Sequence, residues 1–266
     1  MLSINKGQYI LDLKQMTKVA IIGDVHGDWH ALDIVLAHAI KKHQVDAVIQ
    51  VGDFGYSWPG QKHWHPKRKK YSNREKTLKG FPDDLPMYWV DGNHENFDIL
   101  FDDYGNSQPR WHYIERGTSF NIPEIGTLLG IGGANSIDIE SRTPGYDWWP
   151  DEAPGYNDQH RAISTIDKCG TIKAVISHEH PERFEYYDSK LNTYTKRIGA
   201  PTRLLLDNIF TEVKPEFWFF GHHHKYKCGE TDGCKWHCAP IITSLAYLIW
   251  DGSTVEYVSA IAWDKI

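Results

Sequence analysis

Short apolar runs that stop abruptly at polar clusters recur along the chain. The runs are rich in β-branched and aromatic side chains, which is typical of strands buried on both faces. Five runs and the clusters that follow them are Val19–Ile22 before Gly23-Asp24, Ala47–Val51 before Gly52-Asp53, Met87–Val90 before Gly92-Asn93-His94, residues 174–176 before His178, and Phe217–Phe220 before Gly221-His222-His223-His224. The pattern predicts five buried strands, each with polar side chains just beyond its carboxyl end.

Helical spacing separates some of these runs. Apolar residues repeat at intervals of three and four over residues 32–40, and Asp28 offers an N-cap before them. A second helical pattern covers residues 205–213 and stops before Pro215. Strands that alternate with helices predict an α/β fold, in which ligand chemistry lies at the carboxyl ends of the strands.

Further segments alternate apolar and polar residues more regularly, as half-exposed antiparallel strands do. They cover residues 111–122, 127–131, 226–237, 241–250 and 255–261. Together with the buried strands, they predict two packed sheets flanked by helices. No Gly/Ser-rich or Pro-rich linker divides the chain, so we expect a single domain over residues 1–266.

The composition is that of a soluble protein with one large core. Of 266 residues, 41% are hydrophobic and 24% are charged, which supplies enough apolar surface to offset chain entropy. The net charge of -6 argues against nucleic-acid binding by bulk electrostatics. No apolar stretch approaches the roughly 20 residues of a membrane span. The first residues lack the features of a secretory signal, and four cysteines are too few for a disulfide framework, so we expect a cytoplasmic location.

Carboxylate, amide and imidazole side chains follow the predicted strands in order, and no thiolate is among them. They form one candidate metal-ligand set: Asp24, His26, Asp53, Asn93, His178, His222 and His224. The motifs that contain them are Asp24-Val25-His26-Gly27, Gly52-Asp53, Gly92-Asn93-His94-Glu95, Ser177-His178 and Gly221-His222-His223-His224. With these motifs the chain resembles the calcineurin-like metallophosphoesterase superfamily. The resemblance implies a single α/β domain built as a four-layer α/β/β/α sandwich of two mixed sheets.

The resemblance also implies a role for each position. The ligands of one divalent ion would be Asp24, His26 and His224, and those of the other would be Asn93, His178 and His222. Asp53 would bridge the two ions, and His94 would be the general acid near the leaving group. Either neighbouring acid, Asp91 or Glu95, is a candidate to hold the second ring nitrogen of His94.

The charges of this ligand set suit a phosphate anion. The carboxylates of Asp24 and Asp53 cancel only half of the charge of two divalent ions, because Asn and neutral His add none. A bridging hydroxide leaves the site cationic and supplies a nucleophile at neutral pH. The predicted reaction is hydrolysis of a phosphate ester, with Mn²⁺ favoured and Fe²⁺ or Zn²⁺ as alternatives.

The predicted function is that of a phosphatase, either of protein-phosphatase-like type or acting on small monoesters. Two alternatives stay open, a phosphodiesterase or nuclease acting on nucleotides or nucleic acid, and a non-catalytic binding scaffold. Superfamily members that act on proteins usually have an Asp-Arg pair in the second motif, whereas Phe54 follows Gly52-Asp53 here. Arg142, Arg110 and His223 remain as candidate substrate contacts.

Two segments have a strong charge bias. Residues 58–80 hold eight basic residues and one acid, interleaved with aromatic residues. This basic insertion suits a nucleic acid or another polyanion, although charge runs are more often solvated surface. Residues 138–158 are acidic and contain Trp148 and Trp149. This acidic loop either caps the metal site or packs on the outside, and in the scaffold alternative it binds a partner.

A third group of residues is metal-compatible in type but not in spacing. Cys228, Cys234, His237 and Cys238 lack the paired Cys-x-x-Cys of a zinc knuckle. Residues 229–233 predict a hairpin turn that places Cys228 opposite Cys234, so reduced thiols are favoured over a zinc site. The glycine-rich residues 130–135 depart from the dinucleotide fingerprint, and no nucleotide cofactor is expected.

Overall fold

The computed structural model describes residues 17–55, 82, 84–103, 111–186 and 193–262. In chain order the strands are β1 (Val19–Ile22), β2 (Ala47–Val51), β3 (Met87–Val90), β4 (His112–Tyr113), β5 (Thr118–Ile122), β6 (Gly126–Ile131), β7 (Ala174–Ser177), β8 (Phe217–Phe220), β9 (Lys227–Thr231), β10 (Cys234–Cys238), β11 (Ala246–Trp250) and β12 (Val255–Ser259). The helices are α1 (Trp29–His43), α2 (Phe97–Asp103), α3 (Tyr156–Cys169) and α4 (Thr193–Val213). Single 3₁₀ turns lie at Ile139–Ser141, Pro150–Glu152 and Ile242–Ser244.

The described strands form two mixed sheets of six strands each. The first sheet has the order β12-β11-β1-β2-β3-β4, with β1 to β4 parallel and β11 antiparallel to β1. The second has the order β5-β6-β7-β8-β10-β9, with a parallel centre and antiparallel strands at both edges. This arrangement confirms the predicted sandwich of two mixed sheets.

Apolar side chains between the two sheets form the central core. Ile21 and Ile49 from the first sheet pack in one cluster with Ile176 and Phe219 from the second. Helix α1 covers the outer face of the first sheet, and helices α3 and α4 cover the outer face of the second. The layers are therefore α/β/β/α. The parallel strands of each sheet run in the same direction, so their carboxyl ends lie at the same edge of that sheet.

The five buried runs are confirmed as β1, β2, β3, β7 and β8. Helix α1 begins after Asp28, whose Oδ1 accepts a hydrogen bond from Ala31 N at 3.2 Å. Helix α4 ends at Val213, shortly before Pro215, because proline lacks the amide hydrogen that would continue the helix.

The alternating segments are placed differently from the prediction. Residues 111–122 are not one strand, because the chain turns at Gly117 (φ 78°) and passes from β4 in the first sheet to β5 in the second. Residues 241–250 begin with a 3₁₀ turn, and residues 226–237 are the hairpin of β9 and β10. Four of the strands in these segments, β4, β5, β9 and β12, lie at sheet edges, whereas β6, β10 and β11 lie inside the sheets.

The β9–β10 hairpin corrects one expected pairing. Its two-residue turn is Asp232-Gly233, with φ values of 52° and 82°, which matches the tight type I′ geometry. In this register Cys228 lies opposite His237, and Cys234 lies opposite Thr231. The described groups that are able to hold a metal ion contain no cysteine.

Some of the sequence predictions fall on residues outside this description. The basic insertion at residues 58–80 and the candidate contact Arg110 lie outside the described residues.

None of the helices in the part of the chain that the structure describes has the length and apolar character needed to cross a membrane.

The acidic loop is described, and one of its two tryptophans lies in the core. Trp149 is buried, and its ring lies 6.3 Å from that of Phe97 between centroids, within the core of the first sheet. The scaffold alternative loses Trp149 as a partner contact, because a side chain in the core is not accessible from outside.

A buried arginine joins the acidic loop to the end of β3. The Arg116 guanidinium donates to Asp91 Oδ2 from Nε at 2.8 Å and from Nη2 at 2.5 Å. Nη2 also donates to the carbonyl oxygens of Asp151 and Glu152, at 2.9 and 3.0 Å. Asp91 directly precedes the Gly92-Asn93-His94 segment, so this ion pair positions the loop against one polar cluster.

We expect Arg116→Met to destabilise the protein by about 3–5 kcal/mol, because it leaves the buried Asp91 carboxylate without its cation. Arg183→Met is the matched control, since Arg183 pairs with Asp207 but is 31% exposed, and such a pair is worth at most about 1 kcal/mol. Urea unfolding of both variants measures the difference. Equal losses would show that Arg116 is not a buried anchor.

Candidate metal centre

Side chains from three loops form the first group of candidate ligands. Asp24 and His26 follow β1, Asp53 follows β2 and His224 follows β8, and their ligand atoms lie within 4.8 Å of one another. Asp24 Oδ2 is 3.1 Å from His224 Nε2, and His26 Nε2 is 3.5 Å from Asp53 Oδ2. The two imidazole Nε2 atoms are 3.2 Å apart.

The second group contains Asp53, His178 and His222, and Asn93 lies beside it. His178 Nε2 lies 3.3 Å from Asp53 Oδ1 and 3.2 Å from both His222 Nδ1 and Asn93 Oδ1. His178 Nδ1 donates to the carbonyl oxygen of Val51 at 2.9 Å, which directs Nε2 into the cluster. The structure therefore brings all seven predicted ligand positions together, with Asp53 common to both groups.

Glycines allow this close approach. Gly52 has a φ of 94°, and a Cβ at this position would overlap the His178 ring. A Cβ at Gly92 would overlap the Asp53 carboxylate. Larger residues would therefore separate the loops that carry the candidate ligands.

The cluster fits two divalent cations. Atoms that bind one such ion at about 2.0–2.2 Å lie about 3–3.6 Å from one another, close to the spacings in both groups. Within the described residues, the buried Asp24 Oδ2 has no hydrogen-bond partner, although His224 Nε2 lies 3.1 Å from it. A buried carboxylate oxygen beside imidazole nitrogens is stabilised when a cation lies between them.

Four candidate ligands have left-handed backbone conformations. The φ values are 46° at His26, 54° at Asp53, 66° at His222 and 63° at His224. Such conformations cost about 1–3 kcal/mol each for residues other than glycine and collect at functional sites. These backbone conformations make the loops locally less stable, and they direct the four side chains into the cluster.

The buried charges of the cluster favour positive charge within it. Burial favours the neutral ring of His178, but Asp53 and Asp24 outweigh burial and raise its pKa to about 10. Burial also opposes ionisation of Asp53, yet His178 and neighbouring histidines hold the pKa of Asp53 well below its usual range. Burial lowers the pKa of His222 to about 3, which keeps that imidazole neutral and able to bind a metal.

His94 and Arg142 lie at the border of the cluster. His94 N donates to Asp53 Oδ1 at 2.8 Å, and the His94 ring Nε2 is 3.9 Å from Asp53 Oδ2. Arg142 Nη2 lies 3.1 Å from His94 Nε2 and donates to it, since a guanidinium has no acceptor. Asp138 and the carbonyl oxygen of Asp147 hold the other side of Arg142. Burial lowers the pKa of His94 well below its usual range.

The profile described as calcineurin-like phosphoesterase matches residues 17–226, which include every candidate ligand. The chain belongs to this family. It is therefore a metal-dependent phosphoester hydrolase, as its motifs predicted. A comparison with curated proteins found no match.

Solved structures share the fold of this phosphoesterase at low sequence identity. TT1561 of Thermus thermophilus is 11% identical with a TM-score of 0.61, over 92% of this chain and 99% of that chain. A dimetal phosphatase from Danio rerio is 12% identical with a TM-score of 0.53, over 88% and 92%. GAP50, the anchor in the inner membrane complex of Plasmodium, is 13% identical with a TM-score of 0.52, over 92% and 85%. These similarities show the fold alone.

His223 is not placed as a substrate contact in the phosphoesterase. Its Nε2 lies 3.0 Å from Glu179 Oε1, and its ring stacks on Tyr186 with 4.3 Å between centroids. The side chain is only 7% exposed. His223 thus belongs to a buried group with Glu179 and His180, behind the candidate metal ligands.

The two acids next to His94 are engaged with other groups. Asp91 pairs with Arg116, and Glu95 Oε1 accepts a hydrogen bond from Phe54 N at 2.8 Å. The expected pairing of one of them with His94 is therefore replaced by contacts that fix the loops after β2 and β3.

Sequence reasoning missed the polar residues behind the ligands. Ser136 accepts a hydrogen bond from Asn93 Nδ2 at 2.9 Å, and Ser136 in turn contacts Glu152. No local pattern links these three positions. The sequence did offer a reason to consider Glu179 as a residue of the site, because Glu179 directly follows the candidate ligand His178.

We expect His178→Ala to lower the number of Mn²⁺ ions bound from two to one, because only the second group uses this ring. Asp53→Ala should weaken both binding steps, since its carboxylate belongs to both groups. Isothermal titration of metal-stripped protein measures the stoichiometry. The exposed His160 on α3 supplies the control, and its alanine variant should bind two ions. Two ions in His178→Ala would contradict the assignment.

Proposed function

We propose that this phosphoesterase is a Mn²⁺-dependent phosphatase of phosphate monoesters, on small molecules or on proteins. The observation that carries the proposal is the Arg142 guanidinium, which lies 3.1 Å from His94 Nε2 at the border of the metal-ligand cluster. The absence of thiolates in that cluster supports a hard or borderline ion. A cytoplasmic location fits this proposal and the four free cysteines.

The candidate ligands divide into two sets that share Asp53. Asp24, His26 and His224 would hold one ion, and Asn93, His178 and His222 would hold the other. When bound, the two ions supply Lewis-acid stabilisation of the phosphoryl group and lower the pKa of water. The protein contributes the orientation of these side chains and excludes bulk water from their buried side.

Arg142 supplies a fixed cation for the substrate phosphate. Asp138 Oδ1 lies 2.8 Å from its Nε, and Nη1 donates to the carbonyl oxygen of Asp147 at 3.2 Å. A phosphate oxygen is a stronger acceptor for a guanidinium than a neutral imidazole is, so the substrate would take the bond that Nη2 now gives to His94. A monoester carries more negative charge than a diester, so this arrangement favours monoesters.

In this proposal His94 acts on the leaving group. Its backbone N–H is fixed on Asp53, and its Nε2 faces the edge of the cluster beside Arg142. Once the phosphate binds Arg142, Nε2 becomes available to the leaving-group oxygen. To act as general acid, His94 must first take up a proton at Nε2, which the negative charge of the bound phosphate favours because it opposes the lowering of the His94 pKa. His94 would then transfer this proton to the leaving-group oxygen.

We expect His94→Ala to lower kcat for p-nitrophenyl phosphate and for an alkyl phosphate by about 10²–10⁴-fold, the usual effect of losing an acid catalyst. The loss should be larger for the alkyl ester, because its alkoxide leaving group has the greater need of a proton. Two Mn²⁺ ions should still bind by titration calorimetry. An unchanged kcat for the alkyl ester would remove His94 from the mechanism.

We expect Arg142→Met to lower kcat/KM for p-nitrophenyl phosphate by about 10–100-fold, since a charge-assisted hydrogen bond is worth about 1.5–3 kcal/mol. The loss for bis-p-nitrophenyl phosphate should be smaller, because a diester has less charge to bind. Arg183→Met, on a distant surface pair, is the control and should leave both rates unchanged. Equal losses on the two substrates would argue against monoester selection by Arg142.

The same two substrates separate the alternatives. Faster hydrolysis of the diester by the wild-type protein would support a phosphodiesterase or nuclease, with the basic insertion at residues 58–80 as the candidate nucleic-acid contact. No turnover of either substrate with Mn²⁺ present would support a binding scaffold.

A further inference from the structure

A buried carboxylate of the acidic loop lies behind the candidate ligand Asn93. Glu152 is 2% exposed and belongs to the 3₁₀ turn Pro150–Glu152. Its Oε1 accepts a hydrogen bond from Ser136 N at 2.6 Å, and its Oε2 accepts one from Ser136 Oγ at 2.8 Å. Arg116 donates to the carbonyl oxygen of Glu152 at 3.0 Å, so both the backbone and the side chain of Glu152 are fixed.

These contacts continue into the metal-ligand cluster through one hydroxyl group. Asn93 Nδ2 lies 2.9 Å from Ser136 Oγ, and Asn93 Oδ1 lies 3.2 Å from His178 Nε2. Asn93 and Ser136 are both buried, at 2% and 1% exposure, so neither exchanges these bonds with bulk water. The result is a chain of three side chains from Glu152 to the second group of ligands.

The charge of Glu152 sets the direction of every hydrogen bond in this chain. An ionised carboxylate only accepts, so the Ser136 hydroxyl hydrogen must point to Glu152 Oε2. Ser136 Oγ then has only lone pairs for Asn93, and the Asn93 NH₂ group must face Ser136. The carbonyl oxygen Oδ1, which is the metal-binding atom of an amide, therefore faces His178.

Both carboxylate oxygens of Glu152 accept hydrogen bonds from Ser136, which is the pattern of the charged form. Burial raises the pKa of Glu152 to about 7 even though the hydrogen bonds from Ser136 and nearby Arg142 oppose that rise, so the carboxylate is mostly charged only above about pH 7.

We propose that Glu152 and Ser136 are positioning residues that orient the Asn93 amide, so that Oδ1 faces the ion held with His178 and His222. This inference rests on the proposed function, because it assumes that Asn93 is a metal ligand. It gives the acidic loop a second role beside that of Arg142, which is to set the donor atom of one ligand without touching the ion.

Glu152→Gln tests the proposal because it keeps the size of the side chain and changes the bond direction. The glutamine carbonyl still accepts from Ser136 N, but its NH₂ donates to Ser136 Oγ. The Ser136 hydroxyl hydrogen then has two possibilities. It donates to Asn93, whose amide must flip to present its oxygen, or it stays buried without an acceptor. We expect the second Mn²⁺ to bind about 10–100-fold more weakly in titration calorimetry, with the first binding step unchanged.

A rescue experiment separates orientation from general structural damage. Asn93→Asp places a carboxylate at position 93, which can accept from the Ser136 hydroxyl with one oxygen and offer the other to the ion. Its effect on the second binding step should therefore be more favourable in the Glu152→Gln background than in wild type. If Glu152 only supports the loop, the effects of the two substitutions on the second binding step should add in a double-mutant cycle.

Matched variants and outcomes complete the test. Ser136→Ala removes the hydroxyl but keeps the backbone bond, and it should also weaken the second ion. Glu212→Gln, an exposed substitution on α4, should leave both binding steps unchanged, and thermal unfolding of each metal-free variant reports folding. Unchanged second-ion affinity in folded Glu152→Gln, or additive effects in the cycle, would overturn the inference. Failure of the wild-type protein to bind two ions would instead overturn the proposed function.

Discussion

The geometry of the site depends on Asp53, which holds the ligand loops together. Its carbonyl oxygen accepts hydrogen bonds from Val25 N and His26 N at 2.9 and 2.8 Å, which fixes the loop after β1. Its carboxylate accepts from His94 N at 2.8 Å and lies 3.3 Å from His178 Nε2. One residue thus joins loops from both sheets, and it does so with a charge that is almost completely buried. Because an unpaired buried charge is costly, the geometry is favourable only where positive charge compensates it.

The same requirement explains why the ligand loops are strained while the core is regular. Left-handed backbone at His26, Asp53, His222 and His224 and two buried carboxylates all oppose folding locally. The apolar layers between and outside the sheets supply the free energy that holds these loops in place. Cation binding adds to that stability, since an ion that binds the folded cluster and not the unfolded chain shifts the equilibrium toward the fold.

The acidic loop connects to the site in two chemically different ways. Arg142 reaches the border of the cluster and contacts His94, while Glu152 acts from behind through Ser136. Arg116 holds the loop to the end of β3, so both contacts share one buried anchor. The second motif has Phe54 after Gly52-Asp53 in place of an Asp-Arg pair, and Arg142 on the loop after β6 is the arginine that we propose for the substrate phosphate.

Sequence alone identified the buried strands and the candidate ligands, because both follow from local patterns. Buried apolar runs identified β1, β2, β3, β7 and β8, and the polar residues directly after them identified all seven candidate ligands. Which sheet each alternating strand joins depends on long-range pairing, so the passage of residues 111–122 from one sheet to the other was not visible. The partners of His223, Arg142 and Glu152 likewise come from distant segments, and only the tertiary structure decided that His223 faces Glu179 while the other two face the site. A side chain's residue type sets what it can bind, but packing decides what lies within its reach.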